Sequence, residues 1–371
     1  MRGFLAAITR PRVNHDLTST THVDLYDYGL SGQEGVDVVL RRIQRTPKAT
    51  HVNLGHNPLG DEGMASIVRY LCQPEARAPI EEINLNNCGI GDSGLYVISQ
   101  YVKHSTTLRR LYLMGNRIAG TSTVAKVLAD ALNHSKVQTL VLTNNEMLSD
   151  NFLTRFLEVL NTPHLRDLQL SRLGLTQSSI PALSRFLLSP ACYGLRSLHL
   201  NANLLSYGGL NKLVSSLLTG NTTLYEMEVY ANSTSQLEDN AADDNAVRDT
   251  TLQALALMLA RNQVHLRRVE RGARALLIVA RTILLGHEGQ ACSNTFSFPW
   301  NRLAPELRFY ILHFVHMDLS DAQHARVCNY ASKRSTLPPL FTVDKRPKSS
   351  RECIDDFLIA VGCNRFESVL A

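Results

Sequence analysis

The chain has 371 residues, 44% of them hydrophobic and 19% charged, enough to bury a long core. No run approaches the ~20 apolar residues that cross a bilayer, so a membrane-spanning helix is excluded. The formal net charge is only +5, and the seven cysteines are odd in number and widely spaced, which indicates neither a nucleic-acid-coating domain, a disulfide framework nor a zinc ladder.

Residues 1–20 form a basic N-terminal segment with no acid before Asp16. From residue 21 an internal repeat sets in. Leu25, Leu54, Leu85, Leu113, Leu142, Leu170, Leu200 and Val229 follow one another at intervals of 28 to 31 residues, and each is preceded two residues earlier by Val23, Val52, Ile83, Leu111, Leu140, Leu168, Leu198 or Met227. Apolar residues two apart predict a strand with one buried face in every unit, and the fixed period predicts a solenoid in which these strands stack in parallel.

Five residues after most anchors comes another aliphatic side chain: Leu30, Leu59, Ile90, Ile118, Met147, Leu175 and Leu205. Three residues after the anchor stands Asn57, Asn116, Asn145, Asn203 or Asn232, where a side-chain amide can bond main-chain groups as the strand turns away; Cys88 fills the same slot, while Tyr28 and Leu173 depart from it. Turn runs such as Gly60-Asp61-Glu62-Gly63 and Gly91-Asp92-Ser93-Gly94 then lead into helical spacings such as Met64, Ile67, Val68 and Leu71. Each unit reads as strand, turn and helix.

This pattern, seen in HVNLGHNPLGDEGMASIVRYL and LRSLHLNANLLSYGGLNKLVSSLL, resembles the long leucine-rich repeats of the ribonuclease-inhibitor type over residues 21–290. The resemblance implies an α/β horseshoe with strands on the concave face and helices on the convex one, to which the open end of a solenoid core leads us to add a small helical C-terminal cap. A shared fold does not by itself transfer a function.

The rhythm breaks after Asn232, and residues 233–249 read as an exposed acidic insertion carrying Glu238, Asp239, Asp243, Asp244 and Asp249. Helical spacing resumes at Leu252, and HLRRVE reads as a degenerate ninth strand before a last helix. On that helix Arg271, Arg274 and Arg281 fall near one face as a basic strip, read first as a solvated face and second as a site for an acidic partner.

Residues 291–371 form a helical C-terminal module. Within it Leu303, Pro305, Glu306, Leu307, Ile311 and Leu312 resemble the opening of an F-box, which implies a cullin adaptor as partner. The alternative reading is a solenoid cap, with Pro305 at a helix start where its missing N–H costs nothing. A short terminal helix follows from Cys353 to Val361.

No glycine-rich phosphate loop, nucleophile elbow or zinc-binding helix signature is present, so the chain reads as non-enzymatic, with no cofactor, metal or small-molecule substrate. Binding is the better reading. The residues flanking each anchor point away from the core, and from them Asn84, Asn86, Tyr112, Met114, Val141, Gln169, His199, Glu228 and Tyr230 are the candidate contacts for a protein partner. Tyr112, Met114 and Val141 are expected to form an exposed apolar patch. The expected role is a scaffold or receptor in the cytoplasm or nucleus. The repeats also resemble those of Ran GTPase-activating proteins, which would imply a small GTPase as partner, and the F-box-like helix would imply a ubiquitin-ligase receptor.

Overall fold

In the computed structural model the described residues are 20–73, 76, 78–232, 241–285, 300–315, 318–337 and 350–364. The expected N-terminal segment lies almost wholly outside them, as do residues 233–240 of the acidic insertion. The chain divides into two compact units, Met1–Asn145 and Glu146–Ala371.

The first unit alternates strands and helices: β1 (His22–Asp24), α1 (Gly32–Gln44), β2 (His51–Asn53), α2 (Gly60–Leu71), β3 (Glu82–Asn84), α3 (Asp92–His104), β4 (Arg110–Tyr112), α4 (Ser122–Asn133) and β5 (Thr139–Val141). The strands pair in parallel and in chain order, Val23 opposite Val52, Val52 opposite Ile83, Ile83 opposite Leu111 and Leu111 opposite Leu140. These residues and the anchors are buried, Leu111 and Leu113 completely. Each helix packs on the next and turns its apolar stripe to the strands, as Met64, Ile67 and Val68 do from α2. The expected turn runs are absorbed into helices: α2 begins at Gly60 and α3 at Asp92, so that Asp61 and Asp92 sit in first turns where the helix dipole favours an anion.

Two devices hold successive repeats in register. The first is the asparagine position: Asn116 donates through Nδ2 to the carbonyl oxygens of Leu113 and Leu85, both at 2.9 Å, and its Oδ1 accepts from the N–H groups of Cys88 and Ile90 at 3.0 and 3.1 Å. Asn57 and Asn145 repeat the donations, and Cys88 replaces them with thiol contacts to the Leu54 and Asn86 oxygens at 3.3 and 3.6 Å. The second is the helix-start aspartate. Asp61 accepts from the Gly91 N–H at 2.6 Å, and Asp92 accepts from those of Gly120 and Thr121, each at 2.9 Å.

The residue two after every anchor has positive φ: Asp27, His56, Asn87, Gly115, Asn144, Arg172, Ala202 and Ala231. Left-handed backbone at Ala or Arg costs free energy, yet most of these residues donate in a ladder, as Asp27 N–H does to Gly55 O and Ala202 N–H to Tyr230 O.

The second unit continues the pattern with α5 (Asp150–Val159), β6 (Asp167–Gln169), α6 (Ile180–Leu188), β7 (Ser197–His199), α7 (Tyr207–Gly220) and β8 (Glu226–Glu228). Its strands are again parallel and in chain order. Repeat five departs from the expected spacing. Met147 is 64% exposed and Leu148, one residue later, is fully buried in its place.

The C-terminal part corrects the sequence reading most. No ninth strand exists at HLRRVE; residues 241–285 form one helix, α8 (Ala241–Leu285), which also takes in the last nine residues of the expected insertion. The reason is visible in its buried residues, Leu255, Met258, Leu266, Val269, Ala273, Leu276, Ala280 and Ile283, which recur at helical spacing through the supposed strand. The first half of α8 covers α7, with Asn262 Nδ2 donating to Leu224 O at 2.8 Å and Arg261 Nη2 to Asn221 O at 2.8 Å. Its second half forms a separate core with α9 (Pro305–His313), α10 (Asp321–Ser332) and α11 (Ser350–Ala360), centred on Val269, Leu276, Leu312, Val327 and Leu358. One helix thus serves both the last repeat and the C-terminal helices.

Candidate functional site

Alternation along each strand leaves three rows of side chains directed away from the core. In the first unit the middle row is Asp24, Asn53, Asn84, Tyr112 and Val141, each opposite the next in the parallel register. One row earlier stand His22, His51, Glu82, Arg110 and Thr139, and the residues after the anchors add Tyr26, Asn86 and Met114.

The amides here are partly committed. Asn53 Nδ2 donates to Asp24 Oδ1 at 3.0 Å, Asn84 Oδ1 accepts from the Asn86 N–H at 3.0 Å, and Asn86 Oδ1 accepts from the Met114 N–H at 2.8 Å. These bonds fix the two side chains through their oxygens. The NH2 groups of Asn84 and Asn86 make no hydrogen bond among the described residues. Tyr112 and Met114 are half-buried beside them, and Tyr26 is 46% exposed. Val141 differs from expectation: it is 5% exposed, so its methyl groups belong to the packed layer and the apolar patch reduces to Tyr112 and Met114.

Charge in the adjoining row is compensated. Arg110 Nε pairs with Glu82 Oε2, its Nη2 lies 3.2 Å from His51 Nε2, and the His51 ring stacks on His22 at 4.5 Å. Partial burial, with His22 and Arg110 alongside, holds His51 below the usual imidazole value despite the opposing pull of Glu82.

In the second unit the outward rows are Asp167, Ser197 and Glu226, then Gln169, His199 and Glu228. His199 bridges them: Nδ1 lies 2.8 Å from Glu228 Oε2, and Nε2 lies 2.9 Å from Ser197 Oγ and 3.7 Å from Asp167 Oδ1. Asn201 Nδ2 adds a 2.6 Å bond to Glu228, and the bonds from Asn201 and His199 hold that carboxyl below its ordinary value, whereas burial raises Asp167. The connectivity Ser197–His199–Glu228 is that of a proton relay, but Ser197 is 7% exposed and its N–H is spent on Arg166 O at 2.9 Å. A nucleophile needs an accessible oxygen and free donors for the developing oxyanion. The arrangement instead fixes a polar, predominantly acidic surface, flanked by Tyr230 at 64% exposure. Sequence reasoning picked out Gln169, His199 and Glu228 but missed Asp167 and Ser197, whose only signal is their place two residues before Gln169 and His199.

The basic strip is split by environment. Arg271 and Arg274 are exposed on α8, but Arg281 is half-buried, donating from Nη2 to Thr336 O at 2.8 Å with its guanidinium 5.9 Å above the Tyr330 ring. In the F-box-like segment Pro305 stands at the start of α9 as expected; Leu312 is fully buried, Leu303 and Ile311 are half-buried, and Pro305, Glu306 and Leu307 are exposed.

Residues 50–68, 79–99 and 104–122 match the family model described as a Leucine Rich repeat. The chain is 26% identical to the ribonuclease inhibitor of Mus musculus over 226 residues, covering 53% of this chain and 48% of that protein. To the ribonuclease inhibitor of Sus scrofa it is 27% identical over 161 residues, covering 43% and 34%. It is also 26% identical over 209 residues to the NACHT, LRR and PYD domains-containing protein 3 of Bos taurus, covering 48% and 20%. The chain thus spans half or less of the length of these relatives. The matched repeats are leucine-rich repeats, and parallel strands alternating with helices are the fold that such repeats form.

Proposed function

We propose that this protein is a non-enzymatic interaction scaffold that binds a protein partner on its outward strand face, with Tyr112 and Met114 as apolar anchors and Asn84 and Asn86 as polar readers. The observation that carries the reading is the conjunction of a half-exposed aromatic and a thioether with two oriented amides whose NH2 groups make no bond among the described residues. Interface energy concentrates where an aromatic or long apolar side chain is ringed by groups that can satisfy a partner's polar atoms. The second unit, by itself, presents Gln169, His199, Glu228 and Tyr230 as a mainly acidic contact surface suited to basic groups. The resemblance to ribonuclease inhibitors, proteins named for acting on another protein, supports the same destination.

Affinity purification with mass spectrometry, run side by side on the wild type and on Tyr112→Ala/Met114→Ala, tests this. A protein recovered with the first and depleted with the second is the expected result. Equal recovery by both would place recognition elsewhere, and stimulation of GTP hydrolysis by the recovered partner would turn the reading toward a GTPase-activating protein.

A second reading has its own observation. On and just after α9, Leu307, Tyr310 and Phe314 are 52%, 64% and 63% exposed while Leu312 anchors the helix in the C-terminal core. An apolar surface on a well-anchored helix suits an adaptor of the cullin type, so substrate reception for a ubiquitin ligase is the alternative function. Adaptor co-purification that is lost in Leu307→Asp would support it, and unaltered recovery would dismiss it.

A further inference from the structure

The second unit contains a cleft of about 490 Å3 formed by α8, α10, α11 and the turn after α10. That size lies within the roughly 300–1,000 Å3 typical of small-molecule sites. Its floor is apolar: Leu277, Tyr330 and Ile354 pack against the C-terminal core, and Phe357 beneath them is 4% exposed. Its rim is apolar as well, with Ile278 68% and Leu337 42% exposed.

Among the described residues, three ionisable side chains of definite charge line this cleft: the cations Arg274 and Arg281 and the carboxylate Asp356. Their sum is one positive charge. Arg281 is held in place by Thr336 O and the Tyr330 ring. A carboxylate meets guanidinium geometry with charge-assisted bonds.

We propose that this cleft binds a small aliphatic monocarboxylate, of the medium-chain fatty-acid type, with its carboxylate between Arg274 and Arg281 and its chain along Leu277, Ile278 and Leu337. A single anionic group matches the net single positive charge, whereas a dianion would leave one charge uncompensated. An acidic peptide fits less well, because apolar walls would leave its main-chain groups unpaired. The inference is independent of partner binding on the strand face.

Calorimetric titration of the full chain with decanoate tests it, with decanol as the tail-only control. Saturable one-to-one binding of decanoate is expected, weakened about tenfold or more for decanol and for Arg274→Gln, since each loses a charge-assisted contact. Cys353 lines the same cleft and is exposed, as is Cys72 outside it. Decanoate should therefore slow iodoacetamide alkylation of Cys353 in the wild type and leave Cys72 unchanged, a readout that needs no variant. The proposal is overturned by lack of saturable binding, by decanol binding as well as decanoate, by an unprotected Cys353, or by binding to phosphatidylserine vesicles without binding to free decanoate.

Discussion

Asn57 Nδ2 lies 2.7 Å from the carbonyl oxygen of Leu25, thirty-two residues earlier in the chain. That one bond joins the turn of one repeat to the anchor of the previous one, and Asn116 makes the equivalent link to Leu85. Because the groups are buried, removing the amide leaves main-chain donors and acceptors without partners. Asn116→Ala is expected to destabilise the protein by about 3 kcal/mol or more, and Cys88→Ala, which deletes only weak thiol contacts, by about 1 kcal/mol. Urea denaturation midpoints check the order; equal losses would show that the asparagine position is not the stronger clamp.

Leu113→Ala opens a cavity beneath β4 at a side chain with no solvent exposure. The expected cost is ~2–5 kcal/mol, the range for buried leucine truncations. An unchanged midpoint would refute the assignment of the anchors to the core.

Gly115 has φ +69°, and a Cβ there would collide with Asn87 Oδ1, whose amide is itself bonded to His56 at 3.0 Å. Gly115→Ala should therefore lose about 1–2 kcal/mol from backbone strain and displacement of Asn87. Asn144, which has φ +60° at the same repeat position, provides the comparison: Asn144→Gly should be neutral or slightly stabilising, and a large loss there would mean that the left-handed position is not what limits substitution.

For Asp92, burial opposes ionisation, but the N–H groups of Thr121 and Gly120 more than offset it and hold the carboxyl below its ordinary value. A depressed carboxyl stabilises the fold fully above its unfolded pKa, near about 4, and the contribution disappears as pH falls through the lower folded value. Asp92→Asn should accordingly be less stable than wild type at pH 7, and the gap should narrow below about pH 4. Urea midpoints measured from pH 7 to pH 2 decide this, and a gap independent of pH would contradict it.

Burial raises the thiols of Cys88 and Cys328 to about 11 and that of Cys192 to about 12. Since the thiolate is the reactive form, these three should resist iodoacetamide in the native protein while the exposed Cys72 and Cys353 react. Peptide mapping after brief alkylation measures this, and rapid labelling of Cys192 would contradict its place in the core.

The strand anchors, the asparagine clamps and the helix stripes were legible because each is a residue type demanded by its environment at a fixed interval. The left-handed row two after each anchor was not, because Asp27, His56, Arg172, Ala202 and Ala231 carry no common side-chain signature; main-chain pairing imposes that conformation. α8 was misread at HLRRVE because six residues hold only Leu266 and Val269 of its buried stripe, while the run from Leu255 to Ile283 emerges only over the whole helix. On the candidate face Tyr112 and Met114 were found by alternation alone. The burial of Val141 and the splitting of Arg281 from Arg274 depend on packing that a single strand or helix does not encode.

The most direct test of the account is the dissociation constant of the recovered protein partner, measured by calorimetry with wild type, Tyr112→Ala/Met114→Ala and Arg271→Glu/Arg274→Glu. The strand-face reading predicts a loss of ~1–3 kcal/mol for the first variant, with its denaturation midpoint nearly unchanged, and wild-type affinity for the second. Loss of binding in the arginine variant with full affinity in the Tyr112/Met114 variant would contradict it.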